Sequence, residues 1–248
     1  MMHLSFSPHP FVIWLQHFPP EALTLVMLLS CGLVILLMMR FFGAVGLMVY
    51  SSIAIIVANL QVQTVTKYSF FHEPVALGTI VFSSIFIVSG ILTEYYGAAQ
   101  ARKAVWLSFT ALFLMAGFML MTLGYKPVSG CHAAHDAMCT LFLPTPALFV
   151  AGLIAYATGQ LNDIWIFATL SRLTRGKFLW FRSFLATLIG AFLDNLIFSV
   201  LAWIVFSPHP LSWRTVFLTY VLGTYILRVF VAIVGVPFIY LARLMVRK

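Results

Sequence analysis

The chain is expected to fold as an all-α membrane protein, a polytopic bundle of about seven transmembrane helices, and three observations carry that expectation. Of its 248 residues 62% are hydrophobic and only 8% are charged, where a soluble domain carries about 25% charged residues. Its apolar runs repeatedly reach the ~20 residues that a helix needs to cross a bilayer. The basic residues behind the net charge of +8 lie in short connections between those runs, the positive-inside pattern, and not on one phosphate-binding face. Nucleic acid is therefore excluded as a partner, and the lipid bilayer is the first one.

Residues 1–20 are Pro-rich, with an aromatic patch from Phe11 to Phe18, and read as a leader lying along the membrane interface. The tetrapeptide SPHP at Ser7–Pro10 recurs at Ser207–Pro210 as turn chemistry. The first 39 residues hold no Lys or Arg, and the first apolar run ends in Met38-Met39-Arg40 without a small-residue cleavage site, so it reads as a span and not a signal peptide. Seven spans follow at about 21–41, 43–66, 75–96, 103–124, 146–171, 182–206 and 214–242. On that topology Arg40, Arg102, Lys103, Arg172, Arg175, Lys177, Arg182, Arg243, Arg247 and Lys248 share one face, and only Lys67, Lys126 and Arg214 the other. The heavier face is cytoplasmic, which puts the N-terminus outside and the C-terminus inside.

Polar residues inside the spans mark where function resides, because a carboxylate at bilayer depth costs roughly 2.5–3.5 kcal/mol on insertion scales. Span two aligns Ser52, Asn59, Gln63 and Thr66; Asn59 serves either an interhelical hydrogen bond or a solute pocket. Span three aligns Ser83, Gly90, Glu94 and Gly97, and Glu94 either pairs with Arg102 or Lys103 or joins the site. Span four carries nothing ionisable beyond its first residue and reads as scaffold. Span five sets Tyr156, Gln160, Asp163 and Phe167 on one stripe, opposite a small-residue seam of Ala151, Ala155 and Gly159. Span six aligns Thr187, Gly190, Asp194 and Phe198, and span seven Tyr220, Thr224 and Arg228. Arg228 lies about 20 Å from the basic C-terminal end at 1.5 Å per residue, too far to snorkel. Three acids and one arginine thus stand within the membrane. They form either a structural charge network or, since buried pairs gain little over apolar packing, a polar cavity near the midplane.

The outer loop between spans four and five carries Cys131, His132, His135, Asp136 and Cys139. A Cys131–Cys139 disulfide, a metal site or free thiols are the alternatives there. Enzymatic chemistry lacks its parts: no H-E-x-x-H pair, no G-x-S-x-G elbow and no Walker A loop occurs, and no cofactor motif is present. Single, dissimilar polar groups on different helices suit binding of one asymmetric solute better than a channel's rings of like residues.

Several motifs resemble the queuosine precursor transporter family, also called the vitamin uptake transporter family. They are Ser89-Gly90-x-x-x-Glu94-x-x-Gly97, Ala101-Arg102-Lys103, Tyr156-x-x-x-Gln160-x-x-Asp163 with Phe167, Trp180-x-Arg182 with Thr187, Asp194, and Tyr225-x-x-Arg228 with Pro237 and Tyr240. The likeness runs from about Ser51 to the C-terminus. It implies a six-helix core like the substrate-binding subunits of energy-coupling-factor transporters, at 42–248, preceded by the leader 1–20 and an added helix at 21–41. It further implies uptake of 7-deazaguanine precursors (preQ0, preQ1 or queuine) through the inner membrane of a bacterium, without enzymatic change of the solute. The alternative is a binding subunit for a vitamin-like solute that depends on a separate ATPase module. Asn59, Glu94, Tyr156, Gln160, Asp163, Phe167, Asp194 and Arg228 are the expected solute-binding residues. A guanine-like edge presents adjacent N–H donors to a carboxylate and a carbonyl to a donor, while Tyr156, Phe167, Trp165 or Phe198 stacks on the ring. Monomer or homodimer stays open.

Overall fold

The computed structural model describes residues 9–69, 75–142, 146–207 and 209–245. Part of the leader, His72 and the last basic residues, Arg247 and Lys248, lie outside the described residues. The architecture is a helical membrane bundle. A short first helix, α1 (Pro10–Leu15), begins with His9 accepting a hydrogen bond from the Phe11 N–H and with Pro at its first turn. Its aromatic side is exposed: Phe11 stacks on Trp14, which meets Phe18 edge-on. That arrangement suits a helix lying in the interface.

Helix α2 (Pro20–Gln61) has 42 residues, about twice what the hydrocarbon core needs. It is broken at Gly43, whose φ of +60° and ψ of −139° only glycine adopts without strain. The two limbs, 20–42 and 44–61, fold back on each other. Gly46 lies directly against the Met38 carbonyl, Tyr50 faces Cys31, and beyond the second limb Tyr68 returns to Thr24, with 2.8 Å between hydroxyls. The first limb docks on the last helix through Gly32, where any side chain would meet the Phe238 ring. A two-residue antiparallel ladder, β1 (Val65–Thr66) with β2 (Val75–Ala76), follows. It takes residues that the sequence reading put inside spans two and three.

Helix α3 (Thr79–Tyr95) is the centre of the bundle: nearly all of its residues up to Leu92 are buried, and it packs on α2 and on three later helices, 98–123, 146–173 and 223–242. Helix α4 (Ala98–Leu123) buries Ala101, Ala104, Val105, Ser108 and Leu112 on one stripe and turns Trp106, Phe113 and Phe118 outward to lipid. In the connection that follows α4, where a loop was expected, α5 (His132–Phe142) forms. Of the three alternatives for the two cysteines, that helix favours free thiols over the disulfide. Cys131 precedes its first turn and Cys139 follows eight residues on, about 12 Å of rise away, beyond the reach of an S–S bond; both thiols are free. Among the described residues no His, Cys, Asp and Glu converge for a metal.

Helices α6 (Pro146–Leu173) and α7 (Leu179–Val200) make the closest pair in the molecule. The small-residue seam is the cause: Gly159 and Gly190 let the backbones touch, so that a Cβ on either would fall within 3.1 Å of the other's carbonyl oxygen. The turn between them uses left-handed Arg175, Gly176 and Phe178. A π-helical turn, Leu201–Val205, extends α7. The last span runs from α8 (Trp213–Thr215), capped by the Ser212 hydroxyl, through a π-helical stretch, Val216–Leu222, into α9 (Gly223–Ala242). Asn195 holds that π stretch by donating to the Val221 carbonyl at 2.8 Å and the Thr224 hydroxyl at 2.7 Å. Among the described residues four helical runs, α2, α4, α7 with its extension, and 213–242, are long and apolar enough to cross a membrane, and α3 is a shorter apolar helix.

Candidate functional site

Asp163, 1% exposed, occupies the middle of α6 where that helix faces α3 and α7. Its Oδ2 accepts a 2.7 Å hydrogen bond from the Ser89 hydroxyl of α3. Its Oδ1 makes no well-formed hydrogen bond among the described residues, and the Thr187 hydroxyl of α7 stands nearby. The 3.6-residue repeat brings Tyr156, Gln160 and Phe167 onto the same face, and all three are fully buried with Asp163. The Tyr156 hydroxyl and both polar atoms of the Gln160 amide also have no hydrogen-bond partner among the described residues. One helix face thus presents a phenol, an amide and a carboxylate with unused bonding capacity. In hydrocarbon each such group costs several kcal/mol unless something satisfies it.

The other two intramembrane acids are each matched by an arginine. Asp194 of α7 accepts from Arg228 Nη1 of α9 in a buried ion pair, and the guanidinium lies 4.9 Å from the Phe82 ring centroid. Phe82 also meets Tyr156 edge-on, so this ring joins the α6 face to the α9 arginine. Of the two readings left for Glu94, pairing with Arg102 or Lys103 or a place in the site, the first gives way to a different partner, Arg182 of α7, by two bonds of 2.8 and 3.0 Å. Arg182, counted from sequence among the loop charges, is 0% exposed. It also donates to the Ser171 hydroxyl at 2.6 Å and the Gly176 carbonyl at 3.1 Å, and it caps the Phe167 ring at 5.3 Å. Asn59 stands apart, half-buried, its amide donating to the Ile55 carbonyl of its own helix at 2.9 Å. Trp165, named as a stacking candidate, is 66% exposed and faces away from the site.

Along the bundle the order is consistent: the Glu94–Arg182 pair with Phe167 lies toward the basic end, Asp163 with Ser89 in the middle, and Asp194–Arg228 with Phe82 beyond it. Two small cavities flank α3, each with room for about one water. One, among α2, α3, α4 and α6, is lined by Ser51, Ser89, Tyr156 and Gln160. The other, among α3, α7 and α9, is lined by Ser83, Ser183, Thr187 and Arg228. Sequence reasoning passed over Ser89, Phe82 and the inward turn of Arg182 as site residues. Ser89 and Arg182 nonetheless stand in the motifs Ser89-Gly90 and Trp180-x-Arg182, the one signal that pointed to them.

A multi-pass helical membrane protein with a polar, charge-balanced interior and unpartnered hydrogen-bonding groups at mid-depth belongs structurally with the solute transporters. Comparison with known proteins narrows this. Residues 76–242 match the family model described as "Putative vitamin uptake transporter", and the chain belongs to that family. It is 30% identical over 215 residues to a Bacillus subtilis (strain 168) protein named "Probable queuosine precursor transporter", covering 86% of this chain and 90% of that one. It is 24% identical over 164 residues to the "Queuosine precursor transporter" of Escherichia coli (strain K12), covering 66% and 70% of the two chains. No solved structure matches the chain.

Proposed function

We propose that the protein imports 7-deazaguanine precursors of queuosine (preQ0, preQ1 or queuine) across the inner membrane of a bacterium, without altering them chemically. The observation that carries this reading is the buried face of α6, with Tyr156, Gln160 and the free oxygen of Asp163 all unpartnered. Asp163 accepts from the adjacent N–H donors of the base edge, Gln160 donates to the ring carbonyl, and Phe167 or Tyr156 covers the ring. Asp163 takes this role because Glu94 and Asp194 already hold arginines. The two ion pairs then bracket the solute along the membrane normal, and Asn59 lines the approach from the other end. Residues 42–248 form the recognition unit, with the N-terminus outside and the C-terminus cytoplasmic. In support, the turn at Arg40–Gly43, the α3–α4 connection and the 174–178 turn gather the basic residues at one end: Gly43 lies against the Tyr96 hydroxyl, and Tyr240 accepts from the Trp180 N–H.

Asp163→Asn tests the assignment. The swap keeps the shape but places a donor against a donor and removes a charge-assisted bond, worth together roughly 2–4 kcal/mol, or about 30- to 1,000-fold in affinity. The variant is expected to insert and melt like a folded protein, to lose ligand-induced thermal stabilisation, and to fail in supplying external precursor to a strain unable to make its own. Affinity within threefold of the parent would show that Asp163 does not touch the base. Uptake by the purified chain alone in proteoliposomes is expected; dependence on an added ATPase module would recast it as a binding subunit.

A further inference from the structure

The second cavity, among α3, α7 and α9, has a chemistry of its own. Ser83 is 3% exposed, and its hydroxyl has no hydrogen-bond partner among the described residues. Arg228 Nε, on the same lining, is likewise unpartnered. Two further hydroxyls, Ser183 and Thr187, complete the polar side, and Phe86 and Val231 stand on the apolar side. No carboxylate is among the cavity's lining residues: Asp194 is engaged by Arg228 Nη1, and Asp163 is the acid that takes the base edge. The space therefore offers a fixed guanidinium N–H and rotatable hydroxyls, and no free anion. Thr187 links it to Asp163, which it approaches from α7.

We infer that this cavity is a subsite for the substituent that the solute's ring carries away from Asp163, and that it selects an uncharged hydrogen-bond acceptor, such as a nitrile or carbonyl, over an ammonium group. The inference rests on the function proposed above, because it takes the base edge to sit on Asp163. An acceptor placed here receives Arg228 Nε–H and the Ser83 hydroxyl, which satisfies two buried donors at once. An ammonium faces a guanidinium whose counterion is already committed, and gains at most a weak bond to a hydroxyl oxygen. A ring with hydrogen at that position makes neither contact. The cavity must widen to admit the group, and its mostly apolar remainder lets side chains yield without stranding further polar atoms.

The test uses the full-length purified protein and three congeners, 7-deazaguanine carrying hydrogen, cyano or aminomethyl at C7, with affinities taken from ligand-induced shifts in melting temperature and from calorimetry. The cyano congener is expected to bind at least tenfold tighter than both the unsubstituted and the aminomethyl rings. Ser83→Ala removes no hydrogen bond present in the described residues. It should shrink the cyano advantage to threefold or less and leave the unsubstituted ring within twofold of its parental affinity. Aminomethyl binding as tight as cyano binding would overturn the inference, as would a Ser83→Ala variant that weakens all three congeners equally. Binding of the unsubstituted ring without any cyano preference refutes the subsite alone; failure of all three to bind refutes the proposed function and the subsite with it.

Discussion

Gly190→Ala puts one methyl group where α6 and α7 have no space for it. The added carbon would lie 2.8 Å from the Asp163 Cβ and 3.0 Å from the Gly159 carbonyl oxygen, where carbon contacts rest at about 3.5–4.0 Å. Neither neighbour can swing aside: one is the stem of a buried side chain and the other is backbone. Relief requires the two helices to part by roughly an ångström, a strain of about 1–3 kcal/mol. The helix-propensity gain of alanine over glycine, up to about 1 kcal/mol, offsets only part of it. The same displacement carries Asp163 away from Ser89, whose hydroxyl now sits 2.7 Å from it, so binding should fall at least tenfold, about 1.4 kcal/mol. The assay is paired: melting temperature in detergent and affinity for the deazapurine, each measured against Gly117→Ala on α4, where an added methyl meets nothing within 4 Å. Gly117→Ala should match or exceed the parent in stability. If Gly190→Ala also melts and binds like the parent, the α6–α7 contact does not set the position of the carboxylate.

Arg182→Gln leaves Glu94 without its bidentate partner and should cost toward the lower end of the ~3–5 kcal/mol for breaking a buried pair, since Glu94 keeps some access to solvent. Adding Glu94→Gln in the same chain should recover part of the lost melting temperature, and a single variant as stable as the parent would disprove the pairing. With the proposed orientation, Cys131 and Cys139 should both react with a membrane-impermeant maleimide added to intact cells without reductant. Labelling that appears only after reduction would restore the disulfide, and labelling only from the cytoplasmic side would invert the topology.

The α6 face was readable from spacing alone, because Tyr156, Gln160, Asp163 and Phe167 fall on one helical stripe whatever surrounds them. The hairpin at Gly43 was also readable, since a basic residue, two aromatics and a glycine between two long apolar runs leave no other way to cross twice. What could not be read is which way a charge near a helix end turns. Arg182 lies in the first turn of α7, where snorkelling to the interface and folding inward are equally open. The choice was made by Glu94, 88 positions away in the chain. Helix α5 escaped notice because its 11 residues are too few for a span and its Cys, His and Asp read as ligand types gathered on one turn; its identity as a helix is what parts the two cysteines. Trp165 illustrates the converse error, an aromatic two positions from the key carboxylate and yet on the opposite side of its helix.

The two one-water cavities beside α3 have a consequence for the cell that hosts the protein. The bicyclic ring of the proposed function enters only by prying helices apart, so its pathway exists only while cargo is inside it. Between passages the bundle is a plug, with two arginine–carboxylate contacts and aromatic rings where a channel would keep a column of water. In the proposed transport, each rearrangement accordingly moves one molecule.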